Sequence, residues 1–223
     1  MEKFVRISFT GRIKNGRVFD TTDEEIARSE GIFNEDRTYG KLPIVIGAGH
    51  VIKGLDEALS KMKKGEEKEI EIPPEKAFGK RDPNLVRLVP LSAFKRNNIN
   101  PIPGMVVELD GKLARIQTVS GGRVRVDFNH ELAGKTVIYK VKIEDVAKND
   151  RERIKFLVER NFNSSDEFNI RIKDKKIEIE IPENVYKDRN LLLRKAALVA
   201  EIFRFLEFNE VKFIETWKRN GNS

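Results

Sequence analysis

The chain has 223 residues, no cysteine, 35% charged and 39% hydrophobic side chains, and a formal net charge of +7. That length suits two or three packed domains, and the lack of cysteine excludes thiol catalysis, disulfides and thiolate metal sites. No apolar run approaches the ~18 residues that span a bilayer, and MEKFVRISF has no signal-peptide pattern, so a cytoplasmic protein without a membrane partner is expected.

Residues 4–12 alternate, with Val5, Ile7 and Phe9 on one face and Arg6, Ser8 and Thr10 on the other, as in a half-buried strand. Asn15-Gly16 marks a tight hairpin turn, and the return strand carries Val18, Phe19 and Asp20. The spacing Thr22-x-x-Glu25 predicts a capping box opening a short helix, followed by a polar, mobile surface excursion to Lys41. Residues 42–46 form a short apolar strand that Gly47-Ala48-Gly49 turns sharply. Leu55, Ala58, Leu59 and Met62 recur at helical spacing, and Lys63-Lys64-Gly65 closes that helix. His50 in the preceding turn reads as a surface or turn residue. Residues 68–72 alternate charge with Ile70 and Ile72 until Pro73-Pro74, and a strand of the same character resumes at 136–143 with Val137, Tyr139, Val141 and Ile143 on one face.

Between them lies a segment with its own punctuation. Strands at 105–109, 112–119 and 123–128, joined by Asp110-Gly111 and Gly121-Gly122, form a three-stranded meander, and Pro90, Pro101 and Pro103 bound a stretch with Leu91, Phe94 and Ile99. Residues 85–130 thus read as a small inserted β-rich domain. Its balance is basic, seven Lys/Arg against three Asp/Glu, whereas residues 1–84 carry 16 of each. After Val146, Ile154, Leu157, Val158 and Phe162 make a helical stripe, residues 168–172 and 177–181 a hairpin, residues 190–206 a helix apolar on most of its circumference, and residues 210–217 a final strand. Such an αββαβ unit has a modest core. An over-apolar helix in it predicts burial against a partner subunit, hence a homodimer through residues 151–223.

Five short motifs occur in order: FTG at 9–11, NG at 15–16, VFD at 18–20, VIKG at 51–54 and AFG at 77–79. Their order and spacing resemble the FKBP family of peptidyl-prolyl cis-trans isomerases, over residues 1–83 and 132–146. The segment ending FNHELAGKTV resembles the insert-in-flap domain of SlyD-type members, and the C-terminal extension resembles that of long archaeal members. The resemblance implies an α+β protein in three parts: an isomerase domain (1–84 with 131–150) whose antiparallel sheet wraps a short helix, an insert (85–130) and a C-terminal domain (151–223).

It further implies a catalytic pocket of Phe19, Asp20, Val51, Ile52, Phe78 and Tyr139, with Phe9, Leu42 and Leu55 completing the substrate-binding surface. Phe9 and Phe78 stand where many relatives have tyrosine, and Leu55 where many have a large ring. The histidine-rich metal-binding tail of some SlyD proteins is missing, and with His50 and His130 as the two histidines neither a metal nor a cofactor is expected.

The chemistry suits such a pocket. Rotating an amide costs about 18–20 kcal/mol because conjugation is lost, and for X-Pro bonds the uncatalysed step takes tens of seconds. The twisted imide has less charge separation than the planar one, so a dry apolar pocket stabilises it over the ground state, with no nucleophile, acid or base. In the insert, Val86, Leu88, Val89, Leu91, Phe94, Ile99, Ile102, Met105 and Val107 exceed what a small meander readily hides; they either pack its core or offer unfolded chains an apolar groove. The expected partners are unfolded polypeptides with X-Pro bonds. Rival readings are an RNA- or ribosome-binding protein using the basic insert, disfavoured by strands without stacked aromatics, and a holdase with a catalytically weak pocket.

Overall fold

The computed structural model describes residues 2–218, in two compact units: residues up to 71 together with those from 138 onward, and residues 72–137. In chain order the elements are β1 (Phe4–Ile13), β2 (Val18–Thr21), α1 (Glu24–Ser29), β3 (Leu42–Val45), α2 (Lys53–Leu59) and β4 (Glu67–Ile72). The second unit carries β5 (Val86–Pro90), α3 (Leu91–Arg96), β6 (Val106–Leu109), β7 (Lys112–Ser120) and β8 (Arg123–Asp127). The chain returns through β9 (Val137–Val146), α4 (Asp150–Phe162), β10 (Asn169–Lys173), β11 (Lys176–Glu180), α5 (Leu191–Phe205) and β12 (Glu210–Ile214). The class is α+β, with mostly antiparallel sheets.

The first sheet runs β2-β1-β9-β4, and β3 also pairs with β1. One long strand serves two short ones: Phe4 to Ile7 pair with β3, and Thr10 to Arg12 pair with β2, both antiparallel. Val5, Ile7 and Phe9 are buried as their alternation predicts. Asn15 (φ 58) makes the hairpin turn, with the Gly16 N–H donating to Ile13 O.

Two boundaries differ from expectation. Helix α1 is capped by Asp23, whose carboxylate accepts the Ile26 N–H at 3.1 Å, and not by Thr22, which is buried with its hydroxyl taken by the Phe9 backbone. Helix α2 ends at Leu59, because the Lys61 and Met62 N–H groups turn back to carbonyls three residues earlier. Met62 still reaches the core, and Gly65 (φ +81) donates to Ile143 O, so it opens β4 instead of closing the helix. The excursion before β3 is tethered: Gly40 N–H donates to Thr22 O at 2.8 Å, and Phe33 stacks on Tyr39.

The second unit holds a four-stranded sheet, β5-β8-β7-β6, and not a three-stranded meander. Residues 86–90 form the extra strand, antiparallel to β8. Their VRLVP pattern does not alternate, and a strand ending on proline is tolerated at a sheet edge. Phe94, Val107, Ala114, Ile116, Val124 and Val126 form the core of this unit.

The C-terminal segment joins the first unit. Its sheet runs β10-β11-β12, with β12 parallel to β11, so α5 is the crossover between parallel neighbours. Its core is shared, since Ile154, Leu157, Ile177, Ile179, Leu198 and Ile202 cluster with Phe4 and Val45 of β1 and β3. Arg6 on β1 lies 4.1 Å over the Phe156 ring and donates to Glu159, so α4 is held to the sheet by a partly buried cation as well as by apolar contact. The opposite face of α5 leaves Leu192 78%, Leu193 69% and Phe203 48% exposed.

Candidate functional site

The site is anchored where β1 and β2 leave the hairpin. Thr22 Oγ1 accepts the Phe9 N–H at 2.9 Å, and the Thr21 and Thr22 hydroxyls donate to Phe9 O. These buried threonines lock the backbone of Phe9, whose ring lies 5.5 Å from that of Tyr139 on β9. Phe19 on β2 meets the same tyrosine edge to face at 5.8 Å. The rings of Phe19 and Tyr139 close over Gly11, where a Cβ would approach Phe19 Cζ and Tyr139 Cζ to 3.0 Å. Gly11 belongs to the FTG motif, and nothing near it in sequence marks its role, because the rings it admits come from β2 and β9.

Burial first, and then the negative charge of Asp20, push the Tyr139 hydroxyl far above the ordinary phenol range. Asp20 is paired with Arg37 at 2.5 Å. The arginine sits in the tethered excursion, 17 residues away, and no sequence signal marks it.

The β3–α2 turn carries the next pair. Gly47 (φ +88) and Gly49 (φ +76) adopt left-handed backbone that other residues rarely adopt. The Asp56 carboxylate accepts the Gly47 N–H, and His50 Nδ1 accepts the Val45 N–H at 3.1 Å. Val51 and Ile52 follow, both partly exposed. Ile52 caps α2 with its carbonyl, which accepts from Leu55 and Asp56, while no acceptor among the described residues takes its N–H. Leu55 is 1% exposed beneath this turn, and Leu42 opens β3 opposite Ile7. His50 is no surface residue: its side chain is 9% exposed and its ring meets Phe205 edge-on.

Phe78 lies in the second unit, stacked on His130 at 4.9 Å and 3°. On the same unit Phe94 and Val107 are buried, so those two are core and not groove; Val89, Leu91 and Ile99 are half-buried against them. The alternation of β6 and β7 turns Val107, Ala114 and Ile116 inward and leaves their neighbours outside. Val86 is half-buried, whereas Leu88, Ile102 and Met105 are exposed. Val106, Leu113 and Phe128, which no sequence pattern marks, line a recess of their own in this unit together with Ala114 and His130. Among the described residues no group of three or more His, Asp or Glu side chains is placed to hold a metal, and no helix is long and apolar enough to cross a membrane.

Comparison with known proteins adds independent findings. Two family models match, described as "FKBP26, IF domain" over residues 87–132 and "FKBP26_C-terminal" over residues 150–218. The chain is 36% identical over 149 residues to a short-type peptidyl-prolyl cis-trans isomerase of Methanocaldococcus jannaschii, covering 67% of this chain and 94% of that one. It is 31% identical to a probable FKBP-type 16 kDa peptidyl-prolyl cis-trans isomerase of Pseudomonas fluorescens, covering 64% and 87%. An FKBP-type peptidyl-prolyl cis-trans isomerase SlyD of Aeromonas hydrophila is 36% identical, over 50% of this chain and 54% of that one.

Proposed function

The chain belongs to the FKBP-type peptidyl-prolyl cis-trans isomerases, and from that premise we propose how its parts divide the work on polypeptide substrates. Proline rings enter an apolar pocket walled by Phe9, Phe19, Leu42, Val51, Ile52 and Tyr139 above Leu55, a role the family resemblance extends to Phe78. The observation that carries this reading is the Ile52 N–H, left without an acceptor among the described residues beside a turn held in place by His50 and Asp56. It is the donor available to a substrate carbonyl. Asp20, neutralised by Arg37, holds the polar edge without adding a free charge to the pocket. The apolar surroundings favour the twisted imide over the planar one, and a buried, neutral Tyr139 keeps those surroundings dry.

The insert captures unfolded chains on the surface bearing Leu88, Ile102, Met105 and Leu113, whose exposure supports that role. A client held there presents its prolines at raised local concentration. The exposed stripe Leu192, Leu193 and Phe203 supports a homodimer through α5.

Replacing residues 85–130 by a short glycine linker tests the division. Val86 pairs with Asp127, so the insert's ends lie side by side and such a linker spans them. Isomerisation of a proline tetrapeptide persists in that variant, whereas acceleration of proline-limited protein refolding collapses. Equal loss of both activities overturns the proposal.

A further inference from the structure

The turn that carries Val51 and Ile52 is not held by the isomerase sheet alone. His50, immediately before Val51, accepts the Val45 N–H on Nδ1 at 3.1 Å. The neutral ring therefore carries its proton on Nε2, which faces Glu201 Oε1 on α5 at 3.3 Å. Glu201 is itself fixed: Arg160 Nε on α4 donates to Oε1 at 3.1 Å, and Asn161 Nδ2 donates to Oε2 at 2.7 Å. Burial pushes the Glu201 carboxyl up, but the His50 ring beside it and the hydrogen bonds from Asn161 and Arg160 outweigh it and hold the group below the usual carboxylate range. Phe205, one helical turn after Glu201, packs its ring edge-on against the imidazole at 6.0 Å. Ala48, inside the turn, rests on the C-terminal core.

These contacts converge on a segment with little stiffness of its own. Gly47 and Gly49 both take left-handed φ, where glycine's freedom is greatest, and the turn is further restrained by the Ile46 N–H on Lys3 O, the Asp56 carboxylate on Gly47 and the Ala48 N–H on Val45 O. We propose that Glu201 and His50 are positioning residues for the isomerase: α5 orients the imidazole, the imidazole sets the turn, and the turn aims the Ile52 N–H and the Val51 side chain at the substrate. The inference rests on the reading that Val51 and Ile52 line the pocket. It gives the C-terminal segment a part in turnover, exerted from the far side of the β3–α2 turn without touching substrate. A misplacement of about 1 Å in such a donor is enough to lower turnover by up to ~10²-fold.

The test uses the full chain, because Phe4 and Val45 share the C-terminal core and truncation would expose them. His50→Ala, Glu201→Ala, the double variant and Glu201→Gln are compared for kcat and KM on a proline tetrapeptide, with folding checked by circular dichroism and the Val51 and Ile52 amide signals followed by NMR. Each alanine variant lowers kcat/KM about tenfold, and the double variant is no worse than either, within the coupling of contacting residues. The Ile52 amide signal moves in Glu201→Ala, and Glu201→Gln, whose amide oxygen still accepts the Nε2 proton, recovers most of the activity. Additive losses, or wild-type kcat/KM in folded Glu201→Ala, overturn the inference. Wild-type kcat/KM in a folded Val51→Ala control overturns instead the reading beneath it, that Val51 and Ile52 line the pocket.

Discussion

The rings of Phe19 and Tyr139 meet edge to face, 5.8 Å between centroids and 78° between planes. They do so across Gly11, which leaves them the room of one missing Cβ. Gly11→Ala therefore forces two packed rings apart. An overpacked site of this kind loses about 1–3 kcal/mol of stability, read as a lower denaturant midpoint, and kcat/KM on a proline tetrapeptide falls with it. A variant as stable and active as the parent would show that the rings have slack.

Tyr139 also predicts a pH dependence. Burial and the nearby Asp20 raise its pKa in the folded state, so the folded protein holds the proton that the unfolded chain releases above pH about 10. Where the unfolded state binds fewer protons, stability falls as pH rises. The contribution is complete below pH ~10 and is lost on going above it. Urea unfolding at pH 9 and pH 11 should show a steeper loss in the wild type than in Tyr139→Phe.

Core and capture surface separate within the insert. Phe94 is 1% exposed, and Phe94→Ala removes about 3–5 kcal/mol from that unit. Leu88 is 61% exposed, so Leu88→Ser changes stability by no more than about 0.5 kcal/mol. Suppression of aggregation of an unfolded client, followed by light scattering, nevertheless weakens several-fold in Leu88→Ser. Undiminished protection would remove Leu88 from the capture surface.

The outward stripe of α5 makes the oligomer testable without touching a core. Leu192 and Leu193 are mostly exposed on the single chain, so converting both to glutamate leaves its fold intact, read as an unchanged far-UV circular dichroism spectrum. Light scattering at micromolar concentration should find twice the 25.7 kDa chain mass for the parent and a single chain for the variant. A parent of single-chain mass defeats the dimer.

Much of the local geometry around the candidate pocket is legible in the sequence. The alternation of β1 put Phe9 inward, the pairing of NG with VFD put Phe19 and Asp20 on the return strand, and the glycines of GAGH marked the turn before Val51 and Ile52. What escapes the sequence are the contacts between distant residues: Arg37 with Asp20, the Thr22 hydroxyl with the Phe9 backbone, and Glu201 with His50. A charge or hydroxyl shows no periodicity. Its partner is chosen by whichever segment the fold brings within hydrogen-bond reach.

The same division runs through the whole chain. Alternation and turn residues along the chain set which faces of the strands turn inward and where the chain reverses, and five ordered motifs mark the family. Each of these depends on side-chain chemistry repeated or spaced along a few neighbouring residues. Packing of the folded chain is what makes residues 86–90 a fourth strand of the insert, puts Phe94 and Val107 in its core while Leu113 faces out, and gives the C-terminal segment a core shared with Phe4 and Val45. Those outcomes depend on which distant surfaces meet, and burial is a property of the surfaces together and not of either alone.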